Sequence, residues 1–151
     1  MSKRTWLSLL IGLALAMPVV AGTSGAGAQD GSPELVARMN GANEVPGPAD
    51  PDGTGRAWLY EDNGQACYTI TWRDIDPPTA AHIHRGRPGV AGPVVAPLFT
   101  TEQSGRRAES CTSDYDPDVV AAVIAHPGDY YVNLHNDAYP NGAIRGQLRE
   151  L

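Results

Sequence analysis

The chain has 151 residues, 42% of them hydrophobic, and a formal net charge of −6. That fits one globular domain and excludes disorder and fibrous repeats. Its 17 Gly and 13 Pro argue for many turns and few long helices, and without a basic stripe it is a poor partner for nucleic acid or anionic membrane.

Residues 1–28 read as a secretory signal peptide. Lys3 and Arg4 form a positive start, Trp6 to Val20 is an apolar run, and Ala26-Gly27-Ala28 is a small-x-small cleavage site. The run is short for a membrane span, so an uncleaved anchor is the alternative and no span is expected after cleavage. Cleavage removes two positive charges and no acid, which leaves the exported remainder more acidic. Residues 29–33 then form a flexible leader, and 34–151 form the domain.

From Leu35 onward, short runs are separated by turn residues. Leu35, Ala37 and Met39 alternate with Val36 and Arg38 in a first strand that ends at Asn40-Gly41. Residues 43–55 are rich in Pro and Gly and predict a long loop. Arg56 to Glu61 predicts a strand, and Asp62-Asn63-Gly64 a hairpin turn, because Asn and Gly tolerate positive φ. In Gln65 to Trp72 one face carries Ala66, Tyr68, Ile70 and Trp72.

A strand over Ala81 to Arg85 holds His-Ile-His, and a Gly/Pro loop over Gly86 to Pro93 leads to a strand at Val94 to Phe99. Residues 100–115 are polar and admit a strand that ends at Cys111. Asp116 and Pro117 cap the start of the only good helix, which stops at Pro127-Gly128. His126, at its end, suits the negative end of the helix dipole. Tyr130 to His135 and Ile144 to Arg149 alternate as the last two strands, with a turn at Pro140-Asn141-Gly142. The sum is an all-β fold, an antiparallel immunoglobulin-like sandwich or barrel with one short helix. Cys67 and Cys111 are the only cysteines, and an even pair in an exported chain predicts a disulfide.

Four stretches in order resemble the CHRD (chordin) domain family. They are Asn43-Glu44-Val45-Pro46, Ala81-His82-Ile83-His84-Arg85-Gly86, Tyr130-Tyr131-Val132-Asn133-Leu134-His135 and Gly142-Ala143-Ile144-Arg145-Gly146-Gln147-Leu148. The resemblance runs from about Leu35 to Leu148. It implies an all-β domain of the kind found in chordin and in bacterial secreted proteins, and it implies no particular chemistry. Chordin's tandem repeats and cysteine-rich modules are absent, so growth-factor antagonism does not carry over.

Candidate chemistry lies with three histidines. His82 and His84 are two apart, which on a strand places both imidazoles on one face. His135 lies on the polar face of another strand. If the strands are neighbours, the three rings converge, and three neutral imidazoles suit one Zn or Cu ion. The alternative is that they are sheet residues bonded to Asn133, Asp137 or backbone carbonyls. Arg145 and Gln147 share a face of the last strand. They either bind an anion near the histidines or hold loop carbonyls and an acid such as Glu44. The Trp and Tyr residues read as core and edge packing rather than a sugar-binding platform.

No nucleophile elbow and no phosphate loop is visible. The reading is a secreted, monomeric binding or structural module that holds one Cu or Zn ion. Its partner would be an extracellular protein or small ligand. The second reading is a copper-only metalloenzyme. The His-x-His strand, the Gly-rich loop and the cysteine pair are similar to those of copper-zinc superoxide dismutases. Four histidines are too few for the two metals of those enzymes, and analogy of fold is weak ground for an activity.

Overall fold

Strand alternation sorts the side chains into two faces, and the buried set follows it closely. The computed structural model describes residues 34–151, so the signal segment 1–28 and the leader 29–33 lie outside the described residues. In β1 (Leu35–Asn40) Leu35, Ala37 and Met39 enter the core. In β2 (Thr54–Asp62) Ala57 and Leu59 do so, and in β3 (Gln65–Arg73) Tyr68, Ile70 and Trp72. The strands β4 (Ala80–Arg85), β5 (Val94–Phe99), β6 (Arg107–Thr112), β7 (Tyr130–His135) and β8 (Ile144–Glu150) complete the set. Burying one such apolar side chain stabilises the fold by about 1.5–3 kcal/mol.

All eight strands join one sheet in the order β5-β4-β7-β8-β1-β2-β3-β6, with every neighbouring pair antiparallel. The sheet curls into a half-barrel around the core. The β2–β3 hairpin turns through Asn63 (φ 50°) and Gly64 (φ 78°), the positive-φ pair that the Asn-Gly dipeptide predicts. β2 starts two residues earlier than its own pattern indicates, because Thr54 and Gly55 pair with Arg73 and Trp72 across the hairpin. Cys67 and Cys111 sit directly opposite on β3 and β6 and form a disulfide, with Cα atoms 4.0 Å apart.

The helix α1 (Pro117–Ala125) begins as expected. The Asp116 carboxylate accepts from the Asp118 N–H and Pro117 opens the first turn. Val123 is buried, and Val119 and Ala122 pack against the core. Just before the helix, the Tyr115 hydroxyl donates to the Pro97 carbonyl of β5 at 2.7 Å. That bond links the chain beyond one edge strand, β6, to the other edge strand, β5. Among the described residues no helix is long and apolar enough to cross a membrane.

Candidate metal centre

β4 and β7 are neighbours, and their register places His82 opposite Asn133 and His84 opposite Tyr131. His135 follows on the same face of β7 as Asn133 and Tyr131, since alternate residues share a face. Strand β7 is buried on both sides. Tyr130, Val132 and Leu134 enter the core, while Tyr131 and Asn133 are covered by loops. The three histidines therefore meet on the face of the sheet opposite the core, at its β4–β7 end.

Their ligand nitrogens all lie within 4.8 Å of one another. His82 Nδ1 is 3.1 Å from His135 Nε2. His82 and His135 have ring centroids 4.9 Å apart, and His82 and His84 5.7 Å. Bonds of about 2.1 Å from metal to imidazole require donor nitrogens no more than about 4.2 Å apart. Small ring rotations close that gap.

Backbone carbonyls set the tautomers. His84 Nδ1 is 2.8 Å from the Gly92 carbonyl and His135 Nδ1 is 3.0 Å from the Pro140 carbonyl. A carbonyl only accepts, so in the neutral rings both Nδ1 atoms carry the proton and both Nε2 atoms are left with lone pairs; the Asn133 side-chain amide, 3.2 Å from His135 Nε2, then faces it with its NH2 group. His84 Nε2 is buried with no hydrogen-bond partner. His82 Nδ1 donates to His135 Nε2; moving that proton to Nε2 of His82 frees both facing lone pairs. Carbonyls that hold the far nitrogen of an imidazole are the usual outer support of a metal-bound histidine.

Electrostatics favours the neutral rings that a metal needs. Burial holds all three imidazoles below their ordinary pKa, and His82 falls to about 4, with neighbouring His135 and His84 adding repulsion. The set is all nitrogen with no thiolate, which suits Zn and Cu.

Around the histidines lies a buried polar layer. The Tyr131 ring stacks on His84, with centroids 4.8 Å apart and planes 11° from parallel, and its hydroxyl accepts from the Gly92 N–H at 3.2 Å. The Arg145 guanidinium lies 3.3 Å from the centre of the same ring and donates to the Arg87 carbonyl at 3.0 Å. Arg145 is 1% exposed. Three carbonyls, from Gly86, Gly128 and Tyr130, converge on the Gln147 amide nitrogen at 2.7–3.0 Å. Glu44, from the long first loop, is buried over Gly142. Burial raises its pKa to about 7, although Arg145, the Val45 backbone N–H and the Asn133 side chain pull the other way.

The sequence pattern indicates the histidines, Arg145 and Gln147. It groups Tyr131 with the packing aromatics, whereas that ring joins His84 to Arg145. Its position two residues before Asn133 and four before His135 was the available signal. The carbonyls of Gly92 and Pro140 left no mark in the sequence, since every residue carries one. His126 is away from the cluster, as the residue after the helix, where its N–H closes onto the Ala122 carbonyl. The clustered side chains hold an arrangement able to bind a cation through three nitrogens, beside a buried arginine.

Comparison with curated proteins and with solved structures found no match. The CHRD domain matches over residues 35–148, from the start of β1 to near the end of β8, and takes in both histidine strands and both cysteines. The chain belongs to the CHRD domain family.

Proposed function

We propose that this CHRD domain acts outside the cytoplasm, after removal of residues 1–28, as a binding module that holds one copper or zinc ion through His82, His84 and His135. The observation that carries the reading is the buried, unpartnered Nε2 of His84 beside the facing nitrogens of His82 and His135. A buried lone pair with no donor costs about 1–3 kcal/mol, and a cation at the cluster removes that cost. The disulfide supports an oxidising compartment. Arg145 has a positioning role in this reading. Its side chain is withdrawn from solvent, and it braces Tyr131, which in turn stacks on His84.

The test is metal content. The exported protein is loaded with Cu or Zn, freed of excess and assayed by elemental analysis. One equivalent is expected, because three ligands define one centre. The His82→Ala/His84→Ala double variant should lose it, and retention of the full equivalent would refute the assignment. With copper bound, a superoxide turnover assay separates the module from the copper-enzyme alternative. Bound copper without turnover leaves the module.

A further inference from the structure

The half-barrel has a second feature, on the opposite face of the sheet from the histidines. Ile83 points away from His82 and His84, as alternation demands, and lines a cavity of about 460 Å³ between the sheet and α1. Its wall is apolar, with Leu59, Leu98 and Val119 among the residues on it. At roughly 30 Å³ per water-sized group, the space holds about fifteen non-hydrogen atoms. Its size falls within the roughly 300–1,000 Å³ of small-molecule sites, and the mouth of a curled sheet is a common place for one.

Two groups give the cavity chemical direction. The first is a phenol pair. Tyr68 and Tyr115 both line it, and burial raises both phenols, Tyr115 to about 12 with Tyr68 contributing. Both therefore stay protonated. Tyr115 spends its proton on the Pro97 carbonyl and offers lone pairs. The Tyr68 hydroxyl has no hydrogen-bond partner among the described residues. Together they can accept from and donate to one hydroxyl. The second group is acidic: Glu34 and Glu61 also line the cavity and are exposed. Two carboxylates beside an apolar space repel an anionic ligand, and a chain of net charge −6 adds to that repulsion.

We infer that this cavity binds an uncharged apolar molecule bearing one hydroxyl, of the size of a medium-chain alcohol. Its chain lies along the Leu59–Leu98–Val119 wall and its hydroxyl sits at the Tyr68–Tyr115 pair. The site does not depend on the metal proposal, since it lies on the core face of the sheet.

Nile red, a neutral fluorescent probe, tests this on the whole exported chain, with dodecanol and dodecanoate as competitors at pH 8. The expected result is saturable binding of one probe per chain, displaced by dodecanol about tenfold more effectively than by dodecanoate. Val119→Trp fills the space and should abolish probe binding while the protein still melts cooperatively. Tyr68→Phe, which keeps the ring, should weaken dodecanol about fivefold, the loss of one hydrogen bond; it carries the test if Val119→Trp does not fold. Lack of saturable binding would mean that the cavity takes no such ligand. Binding that weakens as protein concentration rises would give it to a second copy of the chain. Either result overturns the inference, as do equal competition by the two competitors, full binding by folded Val119→Trp, or unchanged dodecanol competition in Tyr68→Phe.

Discussion

Glu44 shows how burial can outweigh a nearby opposite charge. Arg145 pulls its pKa down, yet removal from water lifts it from 4.5 to about 7. The sign of its effect on stability follows. The folded state holds the proton more tightly than the unfolded state, so the contribution of Glu44 is full below about pH 4.5 and is lost as pH rises through about 7. The histidines act in the opposite sense. Their pKa values are depressed in the fold, so their contribution is present above the unfolded value near 6.5 and is lost as pH falls below it, for His82 through about 4. Comparing Glu44→Gln with the unmodified protein cancels the histidines. The variant should gain relative stability between pH 5 and pH 8, on the order of 2 kcal/mol, or several degrees in Tm. Thermal melts across that range check it. A constant difference would mean that Glu44 stays ionised against Arg145 throughout.

At the scale of elements, the β4–β5 loop connects packing to the site. A Cβ on Gly92 would lie 1.7 Å from the Arg85 carbonyl oxygen, so no other residue fits without moving the backbone. The same residue accepts from His84 Nδ1 and donates to the Tyr131 hydroxyl. Gly92→Ala should therefore destabilise by about 1–3 kcal/mol through overpacking. It should also weaken metal binding about 10–100-fold, as loss of an outer support does. Gly128→Ala, where a Cβ meets nothing within 4 Å, is the control and should change neither. Urea unfolding and metal titration read the two effects separately. Equal behaviour of the two variants would remove Gly92 from the account. These elements also show what the sequence can and cannot convey. Asn63-Gly64 and Asp116-Pro117 are local signals, and the turn and the helix start where they indicate, because backbone conformation at those residues is decided by neighbours in the chain. The start of β2 is decided by its partner Arg73, and the sequence alone places it late. His82 and His84 on one face follow from the period of a strand. The adjacency of β4 and β7, separated in the chain by β5, β6 and α1, is a long-range pairing with no local mark.

Across the whole molecule, the histidines and the disulfide occupy opposite ends of the sheet. The metal candidates lie on β4 and β7, next to the β5 edge, while Cys67 and Cys111 tie the β6 edge to β3. The disulfide closes a separation of 44 residues, a constraint on the unfolded chain of about 4 kcal/mol in the chain-entropy account. Strand β6 has a ladder partner on one side only and is exposed along most of its length, so the bond also holds an edge that would otherwise fray. Cys67→Ser/Cys111→Ser should lower stability by about 3–4 kcal/mol, read as a drop in the urea midpoint. Under conditions where it stays folded, the same variant should still bind one equivalent of metal. Three strands that carry no substitution, β8, β1 and β2, separate β7 from the β3–β6 pair, and effects at well-separated sites add independently. If metal content fell in step with the loss of the disulfide while the protein stayed folded, the sheet would transmit strain from one edge to the other, and the histidine cluster would have to be treated as part of one coupled unit with the β3–β6 pair.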